Sequence, residues 1–237
     1  MILFDLHTHN NDADGMFSIL NSYGYIAGRN ISIGIHPWSI DGNWKNVFAE
    51  IEKQATNRNV RAIGECGIDK IRSTASIEEQ QKIFKAHAML AERTHKPLVI
   101  HCVKGFDEII AIHKEISPEQ TWIIHGFRGK PQQAEQLIKR GFCISYGEKF
   151  NTDSVKATPL EKLFIESDES KTGINDIYTT VAKAKGCSIE ELGTAIKRNQ
   201  SESEGRRQAR CCRVRCPQQI RAFGILCADR RSGWSWQ

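Results

Sequence analysis

The chain has 237 residues, 40% of them hydrophobic, which is enough for one sizeable core and short for two. No apolar stretch approaches the roughly 20 residues that cross a bilayer, and no basic-then-apolar start resembles a signal peptide, so a soluble cytoplasmic protein is expected. The formal net charge of +5 resides in residues 200–237, which hold eight Arg and three acids; the body is neutral, and a uniformly basic surface for polyanions is excluded.

Apolar runs bounded by Gly, Pro, Asn or charge predict strands over 2–8, 16–22 and 31–36, with crossovers too short for full helices. A helical pattern over 44–56 leads to a strand over 60–66, and a second over 77–94 to a strand over 97–103. Helices over 106–115 and 131–140 alternate with strands over 121–127, 141–147 and 162–168, with Pro131 placed early, as first-turn prolines are. Two more helices follow over 175–185 and 188–198, where Ser188 and Glu191 fit a capping box. Eight strands whose sequences do not alternate, with helices between them, favour an α/β fold, an irregular (β/α)8 TIM barrel, over an open doubly wound sheet. No glycine-rich phosphate loop is present, which argues against a nucleotide cofactor.

Cys66, Cys102, Cys143 and Cys187 lie dispersed in or beside apolar runs and read as reduced, buried thiols. Beyond Asn199 the character changes: residues 200–237 contain eight Arg but no Lys, four Cys, two Trp and no clean period. We read 1–199 as the catalytic domain. The tail reads as a shifted reading frame or a disordered, non-native extension, with an Arg-rich nucleic-acid-binding arm as the alternative.

Several apolar runs end in a side chain able to bind metal. His7 and His9 close the first run, and Glu65, His101, His125 and Asp168 close four later ones. In a strand, residues i and i+2 share a face, so His7 and His9 can grip one cation together. In a barrel, the carboxyl ends of the strands converge on one mouth. A single buried His or Glu at a strand end is more often a hydrogen-bonded core residue than a ligand, but six in register point to metal. Four imidazoles and two carboxylates exceed the ligands of one catalytic zinc, which suggests two ions sharing a ligand. A carboxylate can bridge where an imidazole cannot, so Glu65 is the natural bridge, with Gly64 leaving room for close approach.

His7-x-His9, Gly34-Ile35-His36-Pro37, Gly64-Glu65-Cys66-Gly67-Ile68-Asp69, Ile100-His101-Cys102, Ile124-His125-Gly126-Phe127 and Glu166-Ser167-Asp168 resemble, in order, the motifs of the TatD family of metal-dependent hydrolases and deoxyribonucleases. The resemblance spans about residues 1–199 and implies a TIM barrel with a two-metal centre. It implies further that His7, His9, Glu65 and Asp168 hold one ion, and Glu65, His101 and His125 the other. The chain departs from the family pattern in reading Ser167 for the usual Thr, and Gly126-Phe127-Arg128-Gly129 where Cys-Phe-Ser-Gly usually follows the histidine.

Two cations held close together acidify a water for in-line attack on phosphorus and offset charge on the leaving oxygen. Asp168 is the candidate base, and with Glu65 it forms the expected catalytic pair. Lys104, Arg128 and Lys130 are candidate phosphate contacts or solvated loop charges. His36 is a candidate substrate contact that could instead position its loop, and Trp38 either stacks on a base or packs. His87, His95 and His113 have no paired ligand and are assigned no chemistry, and 147–151 either lines the mouth or connects elements. The leading expectation is a deoxyribonuclease acting on DNA from an end or on single strands, with two divalent ions (Mg, Zn, Mn or similar) as cofactors and no membrane association, the sequence naming no protein partner and leaving the oligomeric state open. The alternatives are a hydrolase of an amide, lactone or small phosphoester on the same centre, and a protein inactivated by a non-native C-terminus.

Overall fold

The computed structural model describes residues 3–13, 17–22, 24 and 26–205. Eight strands form one sheet in sequence order, each parallel to its neighbour. They are β1 (Asp5–Thr8), β2 (Ser18–Ser22), β3 (Ile31–Ile33), β4 (Val60–Asp69), β5 (Leu98–Val103), β6 (Trp122–Ile124), β7 (Cys143–Tyr146) and β8 (Leu163–Ile165). The helices are α1 (Trp44–Gln54), α2 (Ile77–Thr94), α3 (Phe106–Ile116), α4 (Pro131–Lys139), α5 (Thr152–Ala157), α6 (Ile174–Lys185) and α7 (Ile189–Gly205).

The expected TIM barrel is present, and it is irregular where the short crossovers required. Among the described residues no helix separates β1 from β2 or β2 from β3. Helices on the outside and side chains on the inside leave the strands with no wet face, so Ile31, Ile33, Ile63, Ile100, Ile123, Ile144 and Ile165 are all fully buried. This is why the strand sequences run apolar without alternating.

The seam between β1 and β8 is polar. The Asp168 N–H donates to the His7 carbonyl at 2.9 Å, and the His9 N–H donates to the Asp168 carbonyl at 3.0 Å. Beneath it the Asp5 carboxylate accepts the Ser167 N–H at 2.9 Å and the Ser167 hydroxyl at 2.6 Å. Ser167 Oγ also lies 2.8 Å from Thr8 Oγ1. Burial pushes the Asp5 carboxyl up to about 6, although the two Ser167 bonds favour its ionised form.

Helix ends follow local chemistry. Ser76 caps α2 by accepting the Glu79 N–H, and Pro131 opens α4 where no N–H is needed. The capping box before α7 is formed, Glu191 N–H donating to Ser188 Oγ at 3.1 Å and Ser188 N–H to Glu191 Oε2 at 2.8 Å. Helix α7 passes the expected end at 198 and runs to Gly205, with Glu204 paired to Arg61 on β4. The short α5, capped by Asn151, has no counterpart in the predicted elements because six residues are too few to establish a period. None of Cys66, Cys102, Cys143 and Cys187 is in a disulfide. Among the described residues no helix is long and apolar enough to cross a membrane. The reading of the tail falls on residues 206–237, which lie outside the described residues.

His87, assigned no chemistry from sequence, is a fully buried strut of α2. Its Nδ1–H donates to the Ile83 carbonyl at 2.8 Å, and its Nε2 accepts the Ile35 N–H at 3.0 Å. Burial holds its pKa down at about 4. The unfolded chain, titrating near 6.5, therefore takes up a proton first as the pH falls, and stability is lost from about pH 6.5 down to about pH 4. Replacing His87 with Gln should remove this dependence. Measured by denaturant unfolding, the variant should gain about 2 kcal/mol relative to wild type between pH 7 and pH 4.5.

Candidate metal centre

All six expected ligands and His36 meet at the carboxyl end of the barrel. His7 lies on β1 and His9 just beyond it, His101 lies on β5, His125 follows β6 and Asp168 follows β8. Glu65 is not at its strand end as expected, because β4 continues to Asp69. Asp168 takes a left-handed backbone with φ of 53°, a conformation strained for a non-glycine residue and one the seam bonds hold in place. Gly64 leaves room for close approach, and what approaches is backbone. Its φ is 128°, and a Cβ there would collide with the Val99 carbonyl of β5, so the glycine admits a neighbouring strand.

Glu65 is the hub, only 4% exposed. Its Oε1 lies 2.7 Å from His125 Nε2, 2.9 Å from His101 Nδ1 and 3.1 Å from His36 Nε2. Its Oε2 faces the other way, 3.3 Å from His7 Nε2 and 3.6 Å from His9 Nε2. Asp168 Oδ1 completes that second side, 3.9 Å from His7 Nε2 and 3.7 Å from His9 Nε2. Burial by itself would raise the Glu65 carboxyl, yet His125, His101 and His36 hold it well below the usual range. Burial likewise opposes charge on His125, but Glu65 and Glu166 raise its pKa well above the usual value. Carboxylates that stabilise a buried proton this strongly would also stabilise a metal cation in its place.

The donor set fits metal. Both ring nitrogens of the fully buried His7 have no hydrogen-bond partner among the described residues, a costly state unless something else occupies the lone pair. Groups of three donor atoms lying within 4.8 Å of one another occur at His7, His9 and Glu65, at His7, His125 and Asp168, and at His36, Glu65 and His101. Geometry alone counts His36 as a donor, but its Nδ1 accepts the Trp38 N–H at 3.1 Å. The neutral ring therefore carries its proton on Nε2 and presents an N–H to the site, which suits a substrate contact better than a ligand.

Several surrounding residues were not singled out from sequence. The Asn21 carbonyl oxygen accepts the Glu65 N–H at 3.1 Å, and the Asn21 amide lies 3.4 Å from Glu65 Oε2. Glu166 Oε1 accepts the Gly126 N–H at 2.5 Å and lies 3.4 Å from His125 Nδ1. Asp69 Oδ2 accepts from Trp38 Nε1 at 2.6 Å, which anchors Trp38 at the rim, 39% exposed, with the Arg72 guanidinium 3.5 Å from the ring centre. Burial would raise the Asp69 carboxyl, but the Arg72 N–H, Trp38, the Ile71 N–H and His101 hold it down at about 2. Asp69 and Glu166 stood inside recognised motifs, so a signal existed for them. Asn21 gave none.

The mouth opens on two depressions. One of about 620 Å³ is lined by residues including His9, Asn10, Phe17, Asp168 and Lys171. Another of about 250 Å³ brings Arg128, Glu148 and Lys149 beside Asp168, so 147–149 lines the mouth. Of the candidate phosphate contacts, Arg128 thus borders the centre. Lys104 is exposed after β5 and Lys130 is exposed at the start of α4, and neither lines these depressions.

Residues 5–203 match the family described as "TatD related DNase". An uncharacterized metal-dependent hydrolase of Buchnera aphidicola is 32% identical over 146 residues, covering 58% of this chain and 55% of that protein. The uncharacterized metal-dependent hydrolase YjjV of Escherichia coli is 28% identical over 154 residues, covering 61% of this chain and 59% of that protein. The matched stretch thus spans little more than half the length of these relatives. The crystal structure of YjjV superposes with a TM-score of 0.75 at 19% identity, covering 86% of this chain and 99% of that one, a likeness of fold.

If Glu65 joins two ions, Glu65→Gln should lose both together, because an amide cannot offer two anionic oxygens. Elemental analysis of protein purified without chelator should find near-zero metal in the variant. Retained occupancy of both positions would argue against the bridge.

Proposed function

The chain belongs to the TatD-related family of metal-dependent hydrolases, and from that premise we propose that it cleaves phosphodiester bonds in DNA, from an end or on single strands, at a centre of two divalent ions. The observation carrying this reading is the division of labour at Glu65, whose two oxygens face separate groups of histidines. His7, His9, Glu65 and Asp168 would hold one ion, and Glu65, His101 and His125 the other. When bound, such ions supply Lewis acidity, which acidifies a water and offsets negative charge on phosphoryl oxygens.

The protein's own groups do the remaining work. Asp168 has an oxygen within 4 Å of both His7 and His9 and borders both depressions, so it can take the proton of an attacking water. The Nε2–H of His36 can donate to a non-bridging phosphoryl oxygen, favouring the transition state as charge builds there. Arg128, with Lys149 beside it, supplies cationic donors for a neighbouring phosphate. Local cations of this kind reconcile a neutral body with a polyanionic substrate, and Glu148 and Glu169 in the same depression would discourage indiscriminate binding.

Incubation of metal-loaded protein with end-labelled single-stranded DNA and a panel of carbonyl esters and lactones tests the reading. Shortened DNA with the carbonyl compounds untouched is expected, and the reverse result would sink it. Asp168→Asn should keep metal but lower turnover by about 100-fold or more. Arg128→Ala should raise KM with little change in kcat, and should flatten the dependence of KM on salt.

A further inference from the structure

Asp69 is saturated with donors. Its Oδ1 accepts the N–H groups of Ile71 and Arg72 at 2.8 and 2.9 Å, and its Oδ2 takes Trp38 Nε1–H at 2.6 Å. The fourth neighbour, 3.1 Å from Oδ2, is Nε2 of His101 on β5. The aspartate itself is fully buried, and its own N–H is held by Gln80 Oε1 at 2.8 Å, so the carboxylate cannot swing away. A carboxylate can only accept, and one faces each nitrogen of His101, so a cation held at Glu65 would take the place of the hydrogen on Nδ1 and leave the one on Nε2 facing Asp69. The opposite nitrogen, Nδ1, lies 2.9 Å from Glu65 Oε1 and 3.2 Å from His36 Nε2.

We propose that Asp69 is a positioning residue for the metal centre, fixing His101 in the tautomer whose Nδ1 lone pair faces Glu65, so that His101 ligates through Nδ1 while His7, His9 and His125 offer Nε2. The proposal rests on the metal-centre reading of these residues but not on DNA as the substrate. Outer partners of this type fix ring orientation and raise ligand basicity. The geometry explains why β4 runs past Glu65: the extra turn-ward residues carry Asp69 to the far side of the His101 ring, directly beside β5, where Asp69 pairs with Val103. It also explains the Trp38 anchor, which fills the remaining acceptor capacity of Oδ2 and closes that side to water.

The test uses the full chain loaded with zinc and labelled with ¹⁵N. Long-range ¹H–¹⁵N correlation, with His101→Gln for assignment, should find the His101 proton on Nε2 and zinc on Nδ1; zinc on Nε2 would overturn the proposal. In Asp69→Asn the amide oxygen can keep the Ile71 and Arg72 bonds, turning an NH2 toward His101 Nε2 and favouring the wrong tautomer. Chelator competition should then read about a 10- to 100-fold weaker affinity for one zinc, with the other unchanged. Trp38→Phe spares the tautomer and should keep zinc affinity within about threefold; a loss equal to that of Asp69→Asn would mean that Asp69 acts through its loop, against the proposal. The wild-type spectrum decides the matter even if Asp69→Asn does not fold. Failure to bind any zinc would overturn the metal centre and this proposal with it, whereas inactivity on DNA bears on the substrate alone.

Discussion

A buried carboxylate surrounded by imidazoles is the constraint on which the upper barrel depends. Glu65 is almost wholly removed from water, where an unpaired negative charge would cost several kcal/mol. His125, His101 and His36 meet one oxygen and His7 and His9 the other. The compensation is mutual, because the imidazoles are themselves buried and gain from the charge they surround. Removing one partner strands the others, so the cluster behaves as a unit and its members cannot be ranked independently.

The fold supplies this cluster by bringing strand ends together, and its polar seams keep the ends aligned. Asp5, Ser167 and Thr8 tie β8 to β1 directly beneath His7 and Asp168. On the other side, β3 and β4 approach so closely that a Cβ on Gly34 would meet the Glu65 carbonyl at 2.7 Å and Gly64 Cα at 2.8 Å. That contact is what lets His36, two residues after Gly34, reach the Glu65 carboxylate. His87 secures the same loop from α2 by holding the Ile35 N–H. Packing, backbone conformation and site geometry are therefore one arrangement here.

The histidines differ in chemistry despite their proximity, and the difference lies in what each ring's far nitrogen touches. His36 Nδ1 accepts a backbone N–H, which leaves a donor facing the site. His101 meets a carboxylate at each nitrogen, Asp69 at Nε2 and Glu65 at Nδ1. Both His7 nitrogens have no hydrogen-bond partner among the described residues. What a common residue type can do is thus set by its second contact, which is local for His36 and on another strand for His101.

Much of this was legible in the chain itself. The apolar runs located all eight strands because strands covered on both faces must be apolar throughout, and the residues at their ends marked one mouth, since parallel strands all point their carboxyl ends the same way. Motif order was sufficient to identify the family, since the ligands of a barrel site must recur at strand ends in sequence. What the sequence could not carry was any property decided by a contact between distant residues. The second contact of His101, the role of Asn21, the strut at His87 and the strand that Gly64 admits depend on which atoms face each other across separate elements. Side-chain periodicity reports whether a residue points inward, not what it meets there; that is set by strand register and packing, which only the closed barrel determines.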